Sequence, residues 1–477
     1  MSQAAPAAPL NGLNAAAGND VESSLYEVRE KIYPRAVQGW FARWRMALVL
    51  ATQLLFYGLP WLTWNARPAV LFDLAARKFY IFGVVFWPQD FIFLTGLLVI
   101  SALSLFLFTA VGGRLFCGYA CPQTVYTEIF MWIERKVEGD RAQRMKRDGE
   151  SLSANKAGRK ALKHALWIAI GFWTGFTFVG YFTPIKTLLG ELASWSVGPW
   201  ETFWILFYGF ATYGNAGWMR EQVCKYLCPY ARFQSAMFDA DTLVITYDAQ
   251  RGEPRGSRGR SADYQARGLG ACVDCSICVQ VCPTGIDIRR GLQYECIGCA
   301  ACIDGCNQVM DKMGYARGLI RYATENALTQ GLTPAQMMQR VLRPRVLVYI
   351  ALLAVISCAL LAALVLRNPL KVDVIRDRAA LMRETRDGRI ENIYRLQIMN
   401  TDERAHRYVI KASGLSGIRV TPFVPVAVAG ATTQSIAVTL AVDPAGIKPG
   451  SHNIMFHVED VERPSLRADE KSRFYIQ

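Results

Sequence analysis

Residues 272–283 read CVDCSICVQVCP, and residues 296–306 read CIGCAACIDGC. Each run sets three cysteines at intervals of three: Cys272, Cys275 and Cys278 in the first, Cys296, Cys299 and Cys302 in the second. A fourth cysteine, Cys282 or Cys306, follows four residues later. Spacing this short wraps three thiolates around one face of an iron–sulfide cube, and the distal fourth ligates the other cube, as in two-cluster ferredoxins. The pattern predicts one 4Fe–4S cluster on Cys272, Cys275, Cys278 and Cys306, and a second on Cys296, Cys299, Cys302 and Cys282. Pro283 and Gly285 supply the turn after the first run. Cys306 is followed by Asn307 where a proline would be expected, which alters the turn and not the ligand. Zinc sites built from Cys-x-x-Cys pair two such units, whereas here two triples with distal partners stand in tandem. Because such clusters span about −700 to +450 mV, the spacing fixes the cofactor and leaves its potential open.

Composition places this module in a membrane protein. Of 477 residues, 52% are hydrophobic and only 19% charged, too apolar for an ordinary soluble chain. The net charge of +14 does not indicate nucleic acid as a partner, because the basic residues cluster beside apolar spans. Twelve of the thirteen cysteines fall between Cys117 and Cys306, Cys358 sits in an apolar stretch, and none follows it. That distribution suits metal ligands or redox groups, not a disulfide framework. The first 19 residues are rich in Ala, Asn, Gly and Pro and lack a basic start leading into an apolar run. They are expected to form a disordered cytoplasmic tail, not a signal peptide.

Five segments have the ~20 mostly apolar residues that a spanning helix needs: 46–64, 91–111, 162–182, 200–218 and 346–366. Ten Lys and Arg residues between Arg114 and Lys160, against Lys186 alone in the loop 183–199, orient the chain by the positive-inside rule. The N-terminus, the loop 112–160 and the segment 219–345 are expected in the cytoplasm, and the part from Asn368 onward outside. The outer loop 65–90, with Trp64, Phe79, Tyr80, Phe82 and Trp87 in or beside it, is expected to lie at headgroup depth, closed by Asp90 as a helix N-cap. After Asn368 the hydrophobic period becomes two: Tyr394, Leu396 and Ile398, then Ile436, Val438, Leu440 and Val442, then Ile454, Phe456 and Val458. Short half-buried strands of this kind predict a small β-sandwich. The expected fold is therefore a mixed membrane protein: five transmembrane helices, an α+β two-cluster ferredoxin-like domain and a C-terminal immunoglobulin-like β-sandwich. The boundaries are a tail over 1–40, a four-helix membrane domain over 41–240, the ferredoxin-like domain over 241–345, a fifth helix over 346–366 and the outer sandwich over 367–477.

A second cysteine pattern repeats. Cys117-Gly118-Tyr119-Ala120-Cys121-Pro122 follows the second span, and Cys224-Lys225-Tyr226-Leu227-Cys228-Pro229 follows the fourth. Both spans run outside to inside, so both pairs reach the cytoplasmic membrane face. A helical spacing of four sets both thiols of a pair on one face, and four thiols can converge. Buried cysteines that merely pack are common; set against that, soft thiolates favour Cu(I) and also take zinc or iron–sulfur clusters, and a dithiol can cycle through a disulfide. Copper at these four cysteines, as the catalytic site, is one reading among these. No Gly-x-Gly-x-x-Gly stands between a strand and a helix, which argues against a Rossmann-bound nucleotide. With four histidines and only His164 near a span, a bis-histidine haem in the bilayer is excluded. His452, Met455 and His457 are read as exposed strand residues. Arg251, Arg255, Arg258, Arg260 and Arg267, interleaved with glycines, are read as a flexible linker on anionic headgroups.

From about Tyr33 onward the chain resembles the CcoG/FixG/RdxA family of accessory proteins of cbb-type cytochrome c oxidases. The resemblance is carried by residues 59–80 (LPWLTWNARPAVLFDLAARKFY), by residues 87–91 (WPQDF), by both Cys-x-x-x-Cys-Pro units and by residues 283–307 (PTGIDIRRGLQYECIGCAACIDGCN). It implies a multi-pass protein of the bacterial inner membrane with the ferredoxin domain cytoplasmic and the sandwich periplasmic. It further implies reduction of Cu(II) to Cu(I) during oxidase assembly, and as partners membrane lipid, a cytoplasmic electron donor protein, and oxidase subunits or copper chaperones. Two other functions fit the same residues: a quinol-linked relay of the NapH type, and a non-enzymatic assembly scaffold.

Overall fold

The computed structural model describes residues 31–65, 67–377 and 382–476. The tail expected up to Asn19 lies outside them. Among the described residues three helices are long and apolar enough to cross a bilayer: Pro88–Gly112, Ala154–Val179 and Pro344–Val365. In the first, Phe91, Ile92, Leu98 and Phe108 point outward and are exposed, as lipid-facing side chains must be. Its hydroxyls are satisfied internally, Thr95 and Ser101 donating to the carbonyls of Phe91 and Leu97. Leu360 of the Pro344–Val365 helix packs onto Gly96, where a Cβ would come within 2.7 Å of it. The Ala154–Val179 helix meets Pro199–Thr212 through Gly171, Gly175 and Gly209, whose missing side chains let the two backbones touch.

Of the five expected spans, three among the described residues have the length and apolarity of a crossing helix, and the other two are shorter. The segment 46–64 belongs to a helix, Trp40–Gly58, that carries Arg43 and Arg45 in its first two turns and ends in the 3-10 turn Leu59–Trp61. From residue 46 only about 20 Å of helix remains, short of the ~30 Å hydrocarbon core. The segment 200–218 is α-helical only over Pro199–Thr212 and then loosens into a π-helical turn, Tyr213–Met219. The outer loop folds as a three-stranded antiparallel sheet, Val70–Asp73, Lys78–Ile81 and Val84–Phe86, with Ala69, Val70 and Val85 buried.

The C-terminal part is a β-sandwich. One sheet orders Arg419–Thr421, Thr432–Val442, Ile390–Asn400 and Leu370–Arg376, with Arg383–Glu384 at its side; the other orders Val426–Val428, His406–Ser413, Gly450–Asp460 and Arg467–Ile476. The period-two residues face inward: Tyr394, Leu396, Ile398, Val438, Leu440, Phe456 and Val458 form the core between the sheets. His452 and His457 are held within this module, His452 at the carbonyl of Lys448 and His457 between Ser413 and Asp469.

Buried charge ties the sandwich to the outer sheet. Asp90 stands at the expected N-cap position of the helix but makes no side-chain bond into it; its carboxylate instead accepts from the backbone N–H of Trp87 (3.0 Å), closing a capping box on the 3-10 turn Pro88–Asp90. It also receives Arg367 at 2.6 Å and Lys371, from the link into the sandwich. Glu403 accepts from Trp64, Asn65 and Arg67, and Lys78 donates to the carbonyl of Ala431. Removing one member of a buried ion pair strands the others, at a cost of about 3–5 kcal/mol. Asp90→Ala is therefore expected to lower the thermal midpoint of the detergent-solubilised protein followed by tryptophan fluorescence, and to speed proteolytic release of residues 370–476. Asp90→Asn, which keeps a cap but not the charge, is expected to give a smaller loss in both assays.

Candidate functional site: two cysteine quartets beneath a ring of four thiols

The two cysteine runs lie between the paired strands Val244–Tyr247 and Ile320–Ala323. Each run turns in the same way. Asp274 and Ser276 flank Cys275 with φ near +53°, and Gly298 and Ala300 flank Cys299 with φ of +69° and +59°. Left-handed residues on both sides of the middle cysteine coil the chain tightly enough to turn three sulfurs inward. Short helices, Ile277–Gln280 and Ala301–Met313, then carry the third cysteine of each run, and the second also carries Cys306.

The sulfurs line two small apolar cavities. Cys272, Cys275, Cys278 and Cys306 line the first, with Tyr247 and Met310 in its wall. Cys282, Cys296, Cys299 and Cys302 line the second, where Cys278 also reaches and Ile288 and Ile297 complete the wall. Among the described residues no three His, Cys, Asp or Glu side chains converge as ligands of one metal ion. An all-sulfur donor set in an apolar wall is the chemistry that iron–sulfur clusters take, and these residues fit it. Burial pushes the thiol of Cys278 up to about 11 and those of Cys296 and Cys306 up to about 12, so a bound cluster must displace their protons. Cys275 is exposed, whereas Cys272, Cys278, Cys299 and Cys306 are buried.

The segment 251–268 is not a flexible linker. Arg258 donates to Tyr315, to the carbonyl of Gly270 (2.6 Å) and to that of Cys272 (3.2 Å), and Arg251 holds the carbonyls of Ala316 and Arg317. Arg251 and Arg258 are fixed by these carbonyls, while Arg255, Arg260 and Arg267 stay exposed.

Both Cys-x-x-x-Cys-Pro units depart from the helical spacing expected of them. Cys117 sits in the short helix Leu115–Tyr119, while Cys121 is the N-cap of the next helix, with Pro122 in its first turn. Likewise Cys224 lies in a π-helical turn, Val223–Leu227, and Cys228 caps the helix that begins at Pro229. Proline cannot continue a helix but suits the first position of a new one, so each unit is a break with its second thiol at a helix N-terminus. The four thiols remain neighbours. Burial, then the charges of Cys121, Cys224 and Cys228, push Cys117 up to about 12; burial, then Cys121 and Cys228, push Cys224 up to about 11. Cys117 donates to Gln234, which is fully buried.

This thiol ring rests directly on the second quartet. Cys117 and Cys224 pack with Val281, Ile297 and Cys299 in one apolar cluster. A Cβ on Gly118 would come within 2.8 Å of the Gly298 backbone, and one on Gly298 within 3.0 Å of the Arg114 carbonyl. Tyr322 donates to the carbonyl of Gly298 (2.7 Å), and Arg45 to that of Cys299 (2.9 Å). Asp304 accepts the N–H groups of Ala42 (2.8 Å) and Phe41 (3.4 Å), capping the Trp40–Gly58 helix from the ferredoxin side. Between Cys224 and Cys299 lies a cavity of about 50 Å³ edged by Arg45, Arg135, Arg144, Arg220 and Glu128. Beside it Glu134 receives Arg144 (2.7 Å) and Arg220 (2.9 Å), and Lys163 meets Glu138 (3.0 Å). Burial alone would raise the Glu134 carboxyl, but Arg220, Arg144 and Lys163 bring it below its ordinary range. These buried residues escaped the sequence reading because they resemble the basic flanks of a span.

The fold and the cysteine sites define an iron–sulfur electron-transfer protein with apolar helices of membrane-spanning length and an immunoglobulin-like module. Residues 219–325 match a family model described as a 4Fe-4S dicluster domain, and residues 94–138, which hold Cys117 and Cys121, match one described as a 4Fe-4S binding domain. Residues 360–477 match the IG-like fold at the C-terminal of FixG. The chain is 39% identical over 461 residues to the nitrogen fixation protein FixG of Rhizobium meliloti, covering 90% of this chain and 87% of that one. It is 41% identical to protein RdxA of Cereibacter sphaeroides, covering 83% and 85%. The chain belongs to the FixG/RdxA family. Among solved structures, a FixG-related protein from Vibrio parahaemolyticus aligns with 23% of this chain and 99% of its own, at 23% identity and a TM-score of 0.22.

Two outcomes follow from the site. Gly118→Ala forces apart two backbones and is expected to cost about 1–3 kcal/mol, read as a lower thermal midpoint. Gly214→Ala, which meets open space, leaves the midpoint unchanged. At pH 8 the thiolate fraction of Cys117 is expected to be about a thousandfold below that of an ordinary cysteine. Mass spectrometry after brief iodoacetamide treatment should therefore find Cys117 unmodified in the folded protein and modified in urea.

Proposed function

We propose that this protein reduces Cu(II) to Cu(I) at Cys117, Cys121, Cys224 and Cys228, and that it does so in the assembly of a cbb-type cytochrome c oxidase. The observation that supports the reading is the packing of Cys117 and Cys224 against Ile297 and Cys299, with Gly118 pressed on Gly298. It brings the thiol ring and the second quartet into one packed unit. The eight ligands are Cys272, Cys275, Cys278 and Cys306 for one cluster and Cys296, Cys299, Cys302 and Cys282 for the other. Bound 4Fe–4S clusters supply one-electron chemistry.

The thiols do the rest. Soft thiolate sulfur stabilises Cu(I) over Cu(II), so metal held by these cysteines is easier to reduce than the aquo ion. Because Cys117 and Cys224 are protonated at neutral pH, binding metal releases protons and strengthens as pH rises. In this reading the N-terminus, the thiol ring and the ferredoxin part face the cytoplasm and the sandwich faces the periplasm, as the Lys and Arg of loop 112–160 favour, with the shorter helices Trp40–Gly58 and Pro199–Thr212 crossing beside the three long ones. A cytoplasmic donor protein docks near exposed Cys275, the spanning helices contact lipid, and the outer module meets oxidase subunits or copper chaperones.

Cys117→Ala and Cys228→Ala are each expected to abolish Cu(II) reduction by the dithionite-reduced protein, scored with a Cu(I) chelator, while the iron–sulfur absorbance near 400 nm stays within ~10% of wild type. Undiminished copper reduction in both variants would remove the thiol ring from the reaction. Bleaching of that absorbance by added quinol would instead favour a quinol-linked relay.

A further inference from the structure

Two buried guanidinium groups lie between the second quartet and the thiol ring. Arg45, 8% exposed, donates to the carbonyl of Cys299 at 2.9 Å and edges the cavity that Cys224 and Cys299 share. Arg114, 6% exposed, lines a cavity with Cys296 and Gly298, and its residue directly precedes the short helix of Cys117. Its Nε has no hydrogen-bond partner. Two carboxylates stand nearby. Glu128 is divided between Arg45 (3.7 Å) and Arg135 (3.5 Å), and Asp304 is held by the N–H groups of Phe41 and Ala42.

The first quartet is surrounded differently. Arg289, beside Cys278 in the cavity wall, is bound by both Asp287 (2.7 Å) and Asp274 (2.5 Å), which cancel its charge. Arg258 reaches the carbonyl of Cys272 but is partly open to water, which screens it. A cluster gains one negative charge on reduction. A cation in dry surroundings with less than a full countercharge favours that reduced state strongly, and a fully paired or hydrated cation does so weakly.

We propose that Arg45 and Arg114 hold the second cluster at a higher reduction potential than the first, so that electrons run from the solvent-facing quartet toward the membrane-face thiols. One electron leaves the first cluster and one arrives at the second; no bond or proton moves, and the electron comes from a one-electron reductant in the cytoplasm. Arg45 and Arg114 are positioning residues in this step, acting on the potential through space. The inference rests on the assignment of the two quartets as cluster ligands.

The test is a mediated redox titration of the anaerobically purified full-length protein in detergent, followed by low-temperature EPR. Arg45→Met is expected to lower the higher of the two midpoints by at least tenfold in equilibrium constant, about 59 mV for a one-electron couple, and to leave the lower midpoint in place. Arg45→Lys, which keeps the charge, is expected to restore it. Arg114→Met carries the same expectation and serves if Arg45→Met does not accumulate. A fall in the lower midpoint, or no change in either, would overturn the proposal. Iron and sulfide assays separate the two levels: absence of both from wild-type protein defeats the cluster assignment itself, whereas a full complement with unmoved midpoints defeats only the electrostatic argument.

Discussion

The contact on which the arrangement depends is backbone against backbone. Gly118, inside the first Cys-x-x-x-Cys-Pro unit, lies on Gly298, inside the second quartet's tightest turn, with no room for a Cβ on either. Gly298 is also left-handed, so its missing side chain serves the turn and the approach together. Polar contacts lock the same place: Tyr322 and Arg45 take the Gly298 and Cys299 carbonyls, and Asp304 caps the Trp40–Gly58 helix.

The proline units follow from the same constraint. A continuous helix through residues 117–121 would carry its side chains around a cylinder and hold the neighbouring backbone at helix-packing distance, 8–10 Å between axes. Breaking the helix at Pro122 and Pro229 exposes bare turns instead, and places Cys121 and Cys228 at helix N-termini. The π-helical turns before Cys224 and the left-handed Arg220 between them serve the same end, with Glu134 holding the Arg220 guanidinium.

Much of this was legible in the sequence because its signals are local. Cysteine spacing identified both quartets, and period-two burial identified the sandwich residue by residue, as at Tyr394, Leu396 and Ile398. What failed was every inference that treated a residue class as having one use. A spacing of four between cysteines was read as a helix face, although the proline directly after each pair ends that helix. Residues 200–218 are apolar enough to span, but hydropathy does not record that the helix loosens at Tyr213. Aromatic residues in the outer loop did not announce that Phe79 and Tyr80 belong to a paired strand. Asp90 was recognised as a cap, yet its two cationic partners lie some 280 residues away and no local pattern announces them.

The basic residues show why charge counting is the weakest of these signals. The positive-inside rule counts Lys and Arg in the cytoplasmic loops as though all were solvated at the headgroups. Here Arg45, Arg114, Arg144 and Lys163 are instead buried, at 8%, 6%, 3% and 4% exposure. A buried cation persists only where a carboxylate or carbonyl compensates its lost hydration. Arg144 and Lys163 have Glu134 and Glu138, so they are structural. Arg45 shares Glu128 with Arg135 and bonds the carbonyl of Cys299, and Arg114 bonds that of Ala231, so each has less than a full countercharge. A protein that only needed to join its membrane and ferredoxin parts would place neutral donors there. Surplus positive charge beside Cys296 and Cys299 makes physical sense if something in that cavity becomes more negative as the protein works.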